Sequence, residues 1–266
     1  MKYCTLLLVL LMPFLHACET NAPNQTAQQN TVLATETDFK LIVEAPESAE
    51  YNDIYELLKT EDVLEKFING MNKRVEFPGE VAIKVTECGE TNAFYHSETS
   101  TISICYEFLR RTMDLQDADL NPKDKLLNAT AFMFLHEMGH ALVDKLNLPI
   151  TGKEENAVDE LAMILLMSDT TDATYFAAIE GAVQFYHDAL EEDLSAFPYY
   201  DTHAPSLERY YDMLAIIVGA YPATSDEFVG ENNKFKLHPD RADNAEYEYN
   251  RKLNSWKTIL GTAWRE

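Results

Sequence analysis

The feature that most constrains this chain is Leu135-His136-Glu137-Met138-Gly139-His140-Ala141-Leu142, set in a stretch from about Lys123 to Leu146 that reads as one helix. Histidines at i and i+4 share a helix face, so both imidazoles reach a single metal ion. Glu137 projects to an adjoining side, where it can take a proton from water. The flanks Phe132, Phe134, Leu135, Ala141, Leu142 and Val143 make the helix largely buried, and buried imidazoles need partners. Gly139 stands mid-helix at a cost of ~1 kcal/mol relative to Ala, which implies a close approach to the backbone beside the metal. The metal expected is zinc. A catalytic zinc takes three protein ligands and keeps one position for water.

The third ligand is sought in the next helix, which opens after Leu148-Pro149-Ile150-Thr151-Gly152 with Lys153-Glu154-Glu155-Asn156-Ala157-Val158-Asp159-Glu160. Glu155 and Asp159 are i and i+4 on one face, continued by Ala162 and Leu166. This E-x-x-x-D pattern resembles the gluzincin arrangement, which implies Glu155 on the zinc and Asp159 orienting a ligand histidine through a hydrogen bond. Simple antiparallel packing at 1.5 Å per residue instead sets Asp159 level with His140. Asp159 therefore stays a rival ligand, although the longer side chain favours Glu155. Glu154 and Glu160 read as solvated neighbours.

The rest of the chain reads as α+β: a small antiparallel or mixed sheet with a predominantly helical, zincin-like subdomain. Phe39 to Ala45 alternates like a strand, and residues 48–73 carry helical periodicity. Val81 to Glu87 and Thr101 to Tyr106 are short β-branched runs. Polar turns lie between them, with Asn92-Ala93-Phe94-Tyr95 able to pair as another short strand. From Pro122 the pattern is helical almost to the end. Strands first and helices after fit a sheet covered by helices. Thr101 to Tyr106 is either the edge strand that holds an extended substrate above the histidine helix or a plain core strand.

Glu87-Cys88-Gly89, Asn92-Ala93-Phe94-Tyr95, Ile104-Cys105-Tyr106-Glu107, the histidine helix, Glu155/Asp159, and Asp201-Thr202-His203 with Arg209-Tyr210-Tyr211 together resemble a family of bacterial zinc metallopeptidase-like domains, over about residues 39–264. Glu155 to Met167 also resembles the glutamate helix of metallopeptidases that process phage and stress repressors. The resemblance implies zinc hydrolysis of peptide bonds.

His203 sits in an aromatic loop and is either a donor that stabilises the oxyanion opposite the zinc, oriented by Asp201, or a loop histidine without a catalytic role. Arg209 either binds a substrate carbonyl or pairs with nearby carboxylates, and pairing is favoured. His96, His187 and His238 lack ligand spacing. The tyrosines at 186, 199, 200, 210 and 211 read as packing.

The first residues are not part of the fold. A basic start and an apolar run of 11 residues, Thr5 to Leu15, are too short to span a bilayer and read as a signal peptide over 1–17. The run ends in Leu15-His16-Ala17-Cys18, which resembles the lipobox of bacterial lipoproteins and implies lipidation of Cys18; His16 is an unusual occupant of its position. Residues 18–37 are rich in Asn, Gln, Thr and Ala and read as a flexible tether, leaving 38–266 as the metallopeptidase-like domain. The implied location is membrane-anchored, on the extracytoplasmic side. Cys88 and Cys105 then remain as one pair, expected to form a disulfide in an oxidising compartment. Lys and Arg number 21 against 45 Asp and Glu, a net charge of −24, which repels phosphate backbones and makes nucleic acid a poor partner. The expected partners are a peptide or protein substrate and, through the lipid, a membrane. The reading from another class is a lipid-anchored zinc lipoprotein without activity. An intact Glu137 weighs against it, since a structural site needs no base.

Overall fold

The computed structural model describes residues 39–115, 121–168, 171–231 and 236–265. The leader, Cys18 and the tether lie outside the described residues. Four strands form a sheet: β1 (Phe39–Val43), β2 (Val81–Thr86), β3 (Ala93–His96) and β4 (Thr101–Cys105), in the order β1-β2-β4-β3. β2 is parallel to both β1 and β4, while β3 returns antiparallel to β4 with Tyr95 opposite Ile102. In β2 the alternation is direct, with Val81, Ile83 and Val85 buried and the residues between them half-buried.

Of the two readings of Thr101 to Tyr106, the structure rejects the edge strand and bears out the core strand. β4 lies inside the sheet between β2 and β3, and Ile102, Ser103, Ile104 and Cys105 are buried. The alternation of Thr101 and Ser103 with Ile102 and Ile104 reads as one solvated face, yet Ser103 is buried as well, so β4 is covered on both faces. The two edges are β1 and the shorter β3, and β3 is the one on the side of α4, where its polar flanks tolerate an open rim. Tyr106 does not end the strand but begins helix α3 (Tyr106–Asp114).

The helical stretch over 48–73 is two helices, α1 (Asn52–Thr60) and α2 (Val63–Arg74). Glu61 between them is extended, and the Thr60 hydroxyl donates to the Glu56 carbonyl at 2.7 Å. Such a local hydrogen bond competes with helix continuation. The periodicity survives the break because both helices bury a stripe, Ile54 and Leu58 in one, Leu64, Ile68 and Met71 in the other.

Helix α4 (Pro122–Leu146) starts where Asn121 caps it, accepting from the Asp124 backbone N–H at 3.0 Å, with proline at its first position. It ends at Asn147 in the left-handed region (φ 48°). Its buried residues lie on every side, as befits a central helix. It packs on β3, β4 and α3, and on α5 (Glu154–Met167) and α6 (Asp172–Glu191). Helices α7 (Ser206–Ala220), α8 (Ser225–Phe228), α9 (Pro239–Ala242) and α10 (Ala245–Leu260) complete the helical side, with α7 against α5, α6 and α10.

Gly139 marks the contact between α4 and α5. A Cβ there would lie 2.8 Å from Val158 Cβ and 3.3 Å from its Cα. The mid-helix glycine thus admits helix α5 itself, rather than a group beside a metal. Cys88 and Cys105 are joined by a disulfide, which ties the loop after β2 to the end of β4. The Glu107 carboxylate accepts the backbone N–H groups of Cys88 and Gly89 in the same loop.

Candidate metal centre

Two helices and one loop converge on a single carboxylate oxygen. α4 presents His136 and His140 one turn apart, and α5 brings Glu155 in its first turn. Glu155 Oε2 lies 3.4 Å from His136 Nε2 and 3.5 Å from His140 Nε2. From the loop before α7, His203 Nε2 reaches the same oxygen at 3.2 Å. One ligand atom each from His136, His140 and Glu155 lies within 4.8 Å of the others; His203 is not part of that group.

The far edge of each imidazole meets a carboxylate. His136 Nδ1 is 2.8 Å from Asp159 Oδ1, His140 Nδ1 is 2.8 Å from Glu154 Oε1, and His203 Nδ1 is 2.8 Å from Asp201 Oδ1. In a neutral ring such a partner holds the proton on Nδ1 and leaves the lone pair on Nε2. Three lone pairs then face Glu155 Oε2, which is buried and has no hydrogen-bond partner. Acceptors converging without a proton between them repel, and an orphaned buried carboxylate oxygen is costly. A cation placed among them removes both costs. The residues fit a metal ion.

Asp159 does not face that position. Its two oxygens are held by Arg209, through Nε at 2.6 Å and Nη2 at 2.8 Å. The i, i+4 spacing sets Asp159 one turn deeper than Glu155, where it meets the opposite edge of the His136 ring. Arg209 pairs with a carboxylate and also stacks over Phe185 at 3.9 Å from the ring centre.

Charge states follow the same geometry. Burial disfavours a charged His136, yet the carboxylates of Asp159 and Glu155 on either side of the ring push it up to about 9. His140 is raised too, Glu155 and Glu154 outweighing its burial. His203 is raised, first by Glu155. Burial pulls Glu155 upward, but the three imidazoles hold it well below the carboxylate range. Asp159, also resisted by burial, is lowered by the charge of Arg209 and by His136. Glu137 goes the other way: it is 5% exposed, and burial raises its carboxyl against the pull of both α4 histidines.

Glu137 lies in the wall of a cleft of about 970 Å³, together with His136, His140, Glu155, His203 and Arg209. One rim is β3 and its approach, from Thr91 to Tyr95. The Tyr95 backbone N–H lies against the Glu137 carboxyl, and the Tyr95 hydroxyl donates to Asp144 at 2.8 Å. α4 and the edge strand are thus joined at both ends of that residue.

Three residues of this centre escape the sequence reading. Glu154 is exposed, as read, but it also holds His140. Lys153 donates to the His203 carbonyl at 2.9 Å and secures that loop to α5. Tyr95 anchors the edge strand. Glu160 likewise has partners, Lys252 and the Trp256 indole N–H. Tyr199 and Tyr200 are not packing residues: they are 67% and 94% exposed. Tyr210 is buried as expected. His238 accepts the Asp240 N–H at the start of α9 and is remote in sequence from the ligand set. A second grouping of ligand-type residues, Cys88, Cys105 and Glu107, is spent on the disulfide and on backbone hydrogen bonds. No helix among the described residues is long and apolar enough to cross a membrane.

The model of a protein family described as "Putative metallopeptidase" matches residues 43–260. No curated protein and no solved structure matches the chain.

Proposed function

The chain belongs to this "Putative metallopeptidase" family, and from that premise we propose that it is a zinc-dependent peptidase with Glu137 as general base. The observation that carries the reading is the orphaned Glu155 Oε2 facing the His136 and His140 Nε2 atoms, beside a buried Glu137 in an open cleft. A His, His, Glu set suits zinc with a position left over. His136, His140 and Glu155 hold the ion, which supplies Lewis acidity toward a water and a substrate carbonyl. Asp159 and Glu154 fix the tautomers of His136 and His140. Glu137 accepts the proton of the attacking water and returns it to the leaving amine. Its raised pKa brings it nearer to neutral pH, where such transfer is efficient. His203 donates from Nε2 to the developing oxyanion, and Asp201 keeps its ring in place. β3, rather than β4, offers the edge for an extended peptide backbone.

Glu137→Gln should bind about one zinc per chain while hydrolysis of a peptide substrate falls by ~10²-fold or more. His136→Ala, His140→Ala and Glu155→Ala should lose the metal. Full peptidase activity in Glu137→Gln would remove the base from the reading, and a filled site in Glu155→Ala would remove the third ligand.

We further propose that the apolar run Thr5 to Leu15 is a signal and that Cys18 carries a lipid anchoring this domain outside the cytoplasm, a setting that the Cys88–Cys105 disulfide supports. Cys18→Ser should abolish incorporation of labelled fatty acid. Unchanged labelling would refute the anchor.

A further inference from the structure

Resting on the peptidase reading, we propose that Lys153 is a positioning residue. Through the His203 carbonyl it fixes where the His203 ring stands beside the metal ligands, and so sets how well that ring stabilises the oxyanion.

Lys153, Glu154 and Glu155 are consecutive at the start of α5, and each serves a different part of the centre. Glu155 Oε2 faces three Nε2 atoms, Glu154 holds His140 Nδ1, and Lys153 Nζ donates to the His203 carbonyl at 2.9 Å. Lys153 occupies the N-cap position, yet its side chain does not cap the helix. A positive charge at a helix N-terminus is unfavourable, so helix stability does not account for a lysine here. The adjacent Glu154 carboxylate is turned to His140. Among the described residues, the His203 carbonyl is the acceptor of the Lys153 ammonium.

His203 needs such a hold. Its side chain is 49% exposed, so packing does little to place it. Asp201 accepts the His203 backbone N–H at 2.9 Å and meets Nδ1 at 2.8 Å, but it belongs to the same loop and travels with it. Glu192 accepts from the N–H and the hydroxyl of Ser206, which closes the loop at its base. Two polar ties run from His203 itself to α5. One joins its Nε2 to Glu155 Oε2 at 3.2 Å, and the other joins its carbonyl to Lys153. The first runs through the oxygen assigned above to the metal, so in the loaded protein the carbonyl tie is the one that keeps His203 against α5. An oxyanion donor works only from a preorganised position, and a small displacement is enough to weaken it.

The experiment uses the zinc-loaded full chain. Lys153→Met is an exposed change that keeps the side chain long and removes its charge. It should lower kcat on a peptide substrate on the order of tenfold, less than the loss of a whole oxyanion donor, with KM little changed. Lys153→Arg still donates to the carbonyl and should recover most of that rate. His203→Ala should lose more, and adding Lys153→Met to it should cost nothing further, because the two act through one group. A phosphinic peptide, which mimics the tetrahedral intermediate, should bind Lys153→Met on the order of tenfold more weakly. Zinc affinity, read in competition with a chelator, should stay at the wild-type value. Hydrogen exchange of the backbone amides at 201–203 should quicken in Lys153→Met whether or not peptide is cleaved. Unchanged kcat, unchanged exchange, or full additivity of Lys153→Met with His203→Ala overturns the proposal. A fall in zinc affinity overturns it too, since Lys153 would then act through Glu155. A wild-type protein that hydrolyses no peptide, but whose exchange responds to Lys153→Met, would sink the peptidase reading and leave the tie between Lys153 and His203 standing.

Discussion

Glu154 and Glu155 are adjacent in sequence and reach opposite sides of one imidazole. Glu155 Oε2 faces His140 Nε2, whereas Glu154 Oε1 holds Nδ1 at 2.8 Å. Asp159 does for His136 what Glu154 does for His140, but in a buried setting and with Arg209 behind it. Carboxylates behind ligand histidines are worth roughly 10–100-fold in metal affinity. Glu154 is half-exposed and should fall at the low end: Glu154→Ala should weaken zinc binding about tenfold in competition with a chelator. Asp159→Ala should approach the high end, about 100-fold, because it also strands Arg209. Wild-type affinity in both variants would mean that the tautomers are fixed by something else. The spacing of His136, His140, Glu155 and Asp159 made these four legible in the sequence, because i and i+4 leave a single face. Glu154 was not legible. A carboxylate in the first turn of a helix is commonplace for its favourable dipole alone, and only the approach of α4 shows that this one has a ring to hold.

Between elements the information lies in close approaches, which sequence periodicity does not carry. α4 and α5 were both readable as helices, yet their separation depends on Gly139, whose missing Cβ leaves room for Val158. Val158 lies between Glu155 and Asp159 in α5, so pushing it outward displaces both carboxylates. Gly139→Ala should therefore cost ~1–3 kcal/mol by overpacking and lower zinc affinity in the same variant. Adding Val158→Ala to that background makes space and should restore affinity more than stability. A Gly139→Ala protein with unchanged melting temperature and affinity would show that the helices do not need this contact. The sheet shows the same limit. β-branched composition identified Thr101–Cys105 as a strand, but edge and interior differ only in which neighbours arrive. β1, beginning 62 residues before β4, enters parallel to β2 and leaves β3 on the cleft rim. The break after Thr60 and helix α3 escaped for a related reason: apolar periodicity reports the buried stripe, not the continuity of the backbone beneath it.

Across the whole molecule, the metal centre concentrates groups whose charges are tied to folding, so the metal-free protein should reveal them through its pH dependence. His136 has an ordinary value of 6.5 and is pushed up to about 9 in the fold. A group raised in this way binds its proton more tightly when folded, so its stabilisation is complete below 6.5 and is lost as pH rises toward 9. His140 and His203 are raised and act in the same direction. Glu155 and Asp159 are lowered, so their contributions are present above their ordinary values of 4.5 and 3.8 and are lost in acid. Glu137, raised by burial, stabilises most below 4.5 and gives up its share as it ionises, which pulls the optimum toward the acid side. Together these place the stability maximum of the metal-free protein in mildly acidic solution, with a decline on the alkaline side through the folded value of His136. Zinc changes the sign of that limb. It takes the place of the protons among His136, His140 and Glu155, so binding releases protons and strengthens as pH rises toward neutrality. Scanning calorimetry with a chelator should show a melting temperature falling between pH 6.5 and 9. The same scan with zinc should show that fall reduced or abolished. A metal-free melting temperature that stays level over this interval would mean that the three imidazoles carry no coupled charge, and the converging arrangement around Glu155 would lose its electrostatic basis.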